Sequence, residues 1–260
     1  MIHKRPAFSI FSLVVNALFL REIQTRFGTQ KLGYLWAMVD PLAQIVVFSV
    51  IKMAVADGVN LGYDVPVFLA TSFLAYNFFK AVVNGSMGAF DANSALFSYK
   101  QVKPFDTTVS RFLVEFLILT MATLLLIVIG LYIGFDIVVD EFNMVIFAVM
   151  WLGLLAFSWG LFFAVMASFF ANFKKVVSLL MLPLFFLSGL FYTVESLPVL
   201  IQEYIVYNPI IHFIELIHGS FFKVLDTRFV NYEYMMLWTF IPLFLGLWFY
   251  TKSEEKIISS

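Results

Sequence analysis

Few side chains in this sequence can do chemistry, and their spacing says of what kind. His212, Glu215 and His218 recur at i, i+3 and i+6, a helical spacing that can turn two imidazoles and a carboxylate toward one metal ion. Three donors inside an apolar amphipathic stretch fit structural hydrogen bonding better, and no metal site is assigned. Arg111 and Glu115, at i and i+4, read as an ion pair on one helix. Lys80 stands well inside an apolar run beside Phe73, Tyr76, Phe78 and Phe79. A cation there must face protein or water, or carry its ammonium along its own stem to the interface; both readings stay open. Lys52, near the end of another run, poses the same question, with reach to the interface favoured. Asp40-Pro41 reads as a headgroup-level helix start. The sequence contains no Gly-x-x-x-x-Gly-Lys-Ser/Thr phosphate loop, no Gly-x-Ser-x-Gly and no His-Glu-x-x-His. No catalytic residue is assigned, and ATP hydrolysis is not expected of this chain. A membrane-embedded glycan or lipid transferase would need acidic groups gathered at one face, whereas Asp40, Asp91, Asp106 and Glu115 are scattered.

The elements that carry these residues follow from composition. With 62% hydrophobic and 13% charged residues and a mean hydropathy of +0.94, the chain is an integral membrane protein. A net charge of −1 with no concentrated basic patch gives no reason to expect nucleic acid. The absence of cysteine excludes disulfides and thiolate metal sites. Runs long enough to cross about 30 Å of hydrocarbon lie at 33–55, 65–89, 108–135, 143–170, 176–192 and 232–251. Loops this short leave no room for a soluble domain, so residues 1–260 are expected to form one membrane domain.

Two segments do not fit a simple span. Residues 6–29 begin with an apolar run that is short for a crossing, and end with Leu20, Ile23 and Phe27 opposed to Arg21, Glu22, Thr25 and Arg26, the pattern of a helix lying on a bilayer surface. A cleavable signal peptide is disfavoured because no small-x-small site follows and Arg21-Glu22 comes next. Residues 195–222 are apolar but broken at Pro198 and at Asn208-Pro209, into pieces too short to cross. The expectation is a re-entrant hairpin of two short helices turning at Asn208 and Pro209. Basic residues set the orientation: with the amino terminus cytosolic, twelve (Lys4, Arg5, Arg21, Arg26, Lys31, Lys100, Lys103, Arg111, Lys174, Lys175, Lys252 and Lys256) fall inside against Lys223 and Arg228 outside. Both termini are then cytosolic. The polar and apolar residues that alternate through 90–106 up to Pro104 predict a short helix on the cytosolic surface.

Four strings carry a family resemblance: Leu-Arg-Glu-Ile-Gln-Thr-Arg-Phe-Gly at 20–28, Phe90–Asp106 with its Val-Lys-Pro-Phe-Asp, Tyr207–Leu216, and the end Tyr250–Lys256. In these the chain resembles the inner-membrane permease subunits of ABC-2 type polysaccharide exporters, most closely the capsular polysaccharide (KpsM-like) permeases. The resemblance implies an all-α fold of six spans, with an interfacial amino-terminal helix and re-entrant helices before the last span. It implies a bacterial inner-membrane location, a homodimer, two separate ATP-binding subunits that hold ATP and Mg, periplasmic and outer-membrane export components, and a lipid-linked acidic polysaccharide as cargo. O-antigen or teichoic acid exporters are the nearest alternatives. The ATP-binding subunit would dock on Arg21, Glu22, Arg26, Phe27, Tyr99, Lys100, Lys103 and Pro104. Lys80, with Phe73, Tyr76 and Phe79, would line the path of an acidic glycan.

Overall fold

Proline, asparagine and glycine punctuate long apolar runs, and the helices start and stop there. The computed structural model describes residues 7–27, 33–56 and 62–259, and within them every regular element is helical. In chain order these are α1 (Ala7–Phe27), α2 (Gly33–Ala56), α3 (Val65–Met87), α4 (Ala89–Asn93), α5 (Pro104–Ile133), α6 (Phe142–Phe169), α7 (Phe173–Leu187), α8 (Val199–Ile205), α9 (Pro209–Phe221) and α10 (Tyr232–Ser259). Short 3-10 turns cover Ser94–Ser98 and Val194–Ser196. Pro104 opens α5, where its missing N–H removes no bond. The Asp106 carboxylate accepts the Lys103 N–H at 2.9 Å and closes that first turn. The helix ends at Gly134, whose φ of 92° lies in the left-handed region that favours glycine.

Among the described residues, five helical stretches are long and apolar enough to cross a membrane: Phe8–Arg26, Val65–Met87, Pro104–Ile133, Phe142–Phe169 and Tyr232–Ile258. Two expectations shift. The first of these stretches lies in the segment read as an interfacial helix, because the helix runs on unbroken from its apolar start through the charged turn. The fifth run, expected over 176–192, folds as the 15-residue α7 followed by Gly189 at φ 76°. At roughly 1.5 Å per residue it spans about 22 Å and falls short of a crossing by itself. The Asn208-Pro209 break is where the sequence places it, between α8 and α9.

α3 and α6 lie inside. Of the apolar window of α3, 56% is buried, against 17% for α5 and 11% for α1, so the last two present most of their surface outward. α3 packs on α2, α5, α6 and α9, and α6 on α3, α9 and α10. Small residues permit the closest approach. A Cβ on Gly160 of α6 would stand 2.7 Å from the Ser86 Oγ of α3. Around this seam aromatic rings fill the space: Phe73 stacks on Phe185 at 5.6 Å, and Trp159 on Trp238 at 5.6 Å.

Polar contacts gather at the two ends of the bundle. At one, Arg21 donates to Asn93 at 3.0 Å, Lys103 pairs with Glu254 at 3.1 Å, and Lys174 pairs with Asp91. At the other, the Asp136 N–H donates to Asp64 at 2.8 Å, the Glu141 N–H to the Ser220 carbonyl at 2.8 Å, and Arg228 pairs with Glu195. The first set joins segments that the charge count assigns to the cytosol, and the second joins segments assigned to the outside.

Candidate functional site

The charged residues of α1 and α5 form one interlocked unit. α1 lies along the first half of α5, and each helix carries an oppositely charged pair one turn apart: Glu22 and Arg26 on α1, Arg111 and Glu115 on α5. The pairs cross between helices. Arg26 Nη2 is 2.6 Å from Glu115 Oε1, and Arg111 Nε is 3.4 Å from Glu22 Oε1. Arg111 Nη1 also donates to the Gly85 carbonyl, so the cluster ties α1 and α5 to the end of α3. This corrects the intrahelical pair read from spacing: Arg111 and Glu115 pair with Glu22 and Arg26 of α1 and not with each other. Glu22 and Arg26 thus reach the bundle, although Arg21, Thr25 and Arg26 remain exposed, as does Leu20. The pairing is physical: Glu115, Glu22 and Arg111 are largely withdrawn from solvent, and a charge so placed needs a partner of opposite sign.

Beside the cluster lies a cavity of about 320 Å³ whose polar lining is Arg26, Asn77, Lys80, Asn84 and Glu115. Lys80 is exposed and reaches this space from α3. Its predicted companions are elsewhere. Phe73 and Tyr76 are fully buried and Phe79 nearly so, within the core formed by α3, α6, α7 and α9. The Tyr76 hydroxyl donates to the Met181 carbonyl of α7. Spacing along α3 places all four residues near one another, but Phe73 packs on Phe185 and Phe191 and Tyr76 on Phe185, while the lysine emerges at the rim. Asn77 and Asn84, which sequence reading passed over, carry the polarity of the cavity instead. Asn77 donates to Gln44 of α2 at 3.0 Å. Two cations face one carboxylate here among the described residues, an excess of positive charge inside an apolar wall.

The remaining predicted coupling residues fall into two groups. Arg21, Glu22 and Arg26 are engaged with Asn93, Arg111 and Glu115, as described; the Phe27 side chain, like Asp40, lies outside the described residues. Tyr99, 65% exposed, and Lys100 stand free of the bundle on the turn after Ser98, with Lys103 exposed beside them. Pro104 is buried at the start of α5 and shapes the turn from within.

At the opposite end, Asn208 holds the break between α8 and α9. Its side chain accepts the Ile210 N–H at 3.0 Å and donates to the Leu187 carbonyl at 3.0 Å and to Ser188 Oγ at 2.9 Å. The three ionisable residues of α9 each turn to different partners. His212 meets the carbonyls of Phe229 at 3.0 Å and Val206 at 2.8 Å; Glu215 accepts the Val194 N–H at 2.9 Å; His218 bonds Ser72 of α3 at 2.7 Å. They act as separate pins between α9 and its neighbours, and no three His or carboxylate groups converge among the described residues. Burial pushes the Glu215 carboxyl up to about 7.

A profile of the ABC-2 type transporter family matches residues 14–222. Over 256 residues the chain is 33% identical to the polysialic acid transport protein KpsM of Escherichia coli, covering 98% of this chain and 99% of that one. It is 29% identical over 242 residues to the capsule polysaccharide export inner-membrane protein CtrC of Neisseria meningitidis serogroup A (90% and 88% covered), and 28% identical over 247 residues to the corresponding protein BexB of Haemophilus influenzae (94% and 92%). The matches run through the charged cluster, the cavity and the α8–α9 break alike, and the chain belongs to the ABC-2 type transporter family.

Proposed function

We propose that this protein is the membrane permease subunit of an ATP-driven exporter that moves a lipid-linked, acidic capsular polysaccharide across a bacterial inner membrane. The observation that carries this reading is the cavity holding Lys80 and Arg26 in a chain related along almost its whole length to a polysialic acid transport protein, whose cargo is by name a polymer of acidic sugars. A polyanion is strongly disfavoured beside a low-dielectric wall unless fixed positive charge or water compensates it. Among the described residues of the cavity, Lys80 and Arg26 against Glu115 supply that compensation.

The chain works as a pair of copies with two separate ATP-binding subunits, which hold ATP and Mg. Tyr99, Lys100 and Lys103, exposed at the end of the bundle where the cytosolic segments meet, form with α1 the surface on which those subunits act. Both termini are cytosolic. α2, α3, α5, α6 and α10 cross the membrane; α7 completes the sixth span together with the segment through Tyr192, where Gly189 allows the bend. α8 and α9 form a re-entrant hairpin in the outer leaflet, in which α9 packs against α3, α6 and α10. α1 lies at the inner interface, where its charged last turn reaches the bundle and can transmit a push from the ATP-binding subunit. Periplasmic and outer-membrane components receive the polymer.

The test is a charge series at Lys80 in cells that make an acidic capsule. Lys80→Glu abolishes export and leaves polymer inside the cell, Lys80→Ala reduces it, and Lys80→Arg largely preserves it. Export at the native rate by Lys80→Glu, with normal expression, removes Lys80 from the path.

A further inference from the structure

Glu115 is the one carboxylate among the described residues that line the cavity, and it is nearly inaccessible, with 7% of its side chain exposed, while the Arg26 side chain that holds it is 35% exposed. A buried acid placed against a half-exposed cation, beside a second exposed cation that makes no ion pair among the described residues, has the layout of an occupied anion site. The carboxylate in it belongs to the protein. Resting on the reading of this cavity as part of the export path, we infer that Glu115 is a built-in stand-in for the cargo: a sugar carboxylate entering the cavity displaces it from Arg26, bridges Arg26 and Lys80, and so frees the last turn of α1 from α5.

The displaced carboxylate has somewhere to go. A buried acid left without a partner is strongly unfavourable, and a site that created one would not bind its ligand. Arg111 lies one helical turn from Glu115 on the same helix, and its Nε, though 3.4 Å from Glu22, makes no hydrogen bond. Glu115 can therefore pass from Arg26 to Arg111. Charge pairing is conserved across the exchange, so the ligand need not supply the energy of an unpaired ion. What changes is the attachment of α1, which loses the Arg26 contact and keeps Glu22–Arg111 and Arg21–Asn93. Occupation of the cavity is thereby reported to the helix on which the ATP-binding subunit acts.

The exchange predicts opposite signs for two substitutions that break the same ion pair. Binding of a fluorescent sialic acid oligomer, whose anions are all carboxylates, is measured by anisotropy on the full-length protein in lipid nanodiscs. Glu115→Gln removes the internal competitor and tightens Kd about tenfold, as expected when a competing state is withdrawn from the binding equilibrium. Arg26→Gln removes the shared partner and weakens Kd at least about tenfold. If the pair is only a brace, the two variants weaken binding alike or leave it unchanged, and the inference fails. Should Glu115→Gln not fold, Glu115→Asp, whose shorter side chain holds Arg26 less well, tightens Kd about threefold; unchanged or weaker binding there overturns the exchange. Sodium phosphate at matched ionic strength displaces the oligomer no better than chloride, and selective displacement by phosphate would show that the cavity reads a phosphate and not a sugar acid. Failure of the underlying reading looks different. In that case Lys80→Gln and Arg26→Gln both bind the oligomer as the native protein does.

Discussion

The crossed ion pairs between α1 and α5 can be measured one at a time, and Glu22–Arg111 is the cleaner of the two because neither side chain lines the cavity. Both are largely withdrawn from solvent, with 18% and 14% of their side chains exposed, and the charged atoms are 3.4 Å apart. At an effective dielectric of about 20, the Coulomb attraction at that distance is roughly 5 kcal/mol, most of which is offset by desolvation. A net value near 2 kcal/mol is left, in the range of hydrogen bonds to charged groups. Glu22→Gln should therefore lose about 2 kcal/mol, and Arg111→Gln about 3 kcal/mol because it also gives up the Gly85 carbonyl. The double variant should lose about 3 kcal/mol as well, which leaves a coupling energy near 2 kcal/mol. Thermal unfolding of the purified protein reads this as a fall in Tm of about 4–8 °C for Glu22→Gln and about 6–12 °C for Arg111→Gln, with little further loss in the double. The charge-swapped protein, Glu22→Arg with Arg111→Glu, should recover at least half of the loss. Additive single effects, or a swap that recovers nothing, would show that the two helices are held by apolar packing and that the charges are incidental.

Other contacts give separate tests. Gly160→Val drives a branched side chain against Ser86 and should lower the unfolding temperature and expression, whereas Gly153→Ala, whose Cβ would meet only ordinary contacts at 3.5 Å, should not. Asn208→Ala loses the helix cap and both bonds to the end of α7, about 1–2 kcal/mol, read as faster proteolysis between α7 and α9. Because burial raises the Glu215 carboxyl to about 7 from an ordinary 4.5, the folded protein holds that proton more tightly than the unfolded chain. Stability should then decline as pH rises through the window from 4.5 to about 7, and Glu215→Gln should flatten that decline in thermal unfolding measured across it. Single cysteines at Asp140 and Lys223 should react with a membrane-impermeant reagent applied from outside, while those at Ser98 and Asn172 should not; the chain has no cysteine of its own to interfere.

What was legible in the sequence was whatever a one-dimensional pattern fixes. Apolar run length located α3, α5, α6 and α10, and Asn208-Pro209 located the break before α9. Periodicity could not show that Glu22 and Arg26 have partners far along the chain, Arg111 and Glu115, because nothing local in the sequence joins α1 to α5. Spacing likewise brought Arg111 and Glu115 together as an intrahelical pair; that their partners are Glu22 and Arg26 across the interface needed the second helix. Lys80 was recognisable as an unusual cation, but of the aromatic residues beside it in sequence only Phe78 lines its cavity. Phe73 and Tyr76 are claimed by α7 and the loop after it, while Asn77 and Asn84, neutral and unremarked in the sequence, share its cavity.

The account stands on the cavity between α1, α3 and α5 being part of the export path, and a photo-crosslinking amino acid can test this in living cells. Placed at Asn84, which lines the cavity, and at Leu237, exposed on the outward face of α10, it should capture capsular polysaccharide from the first position and none from the second when irradiated during export. An adduct of polymer at Leu237 with only lipid at Asn84 would contradict it.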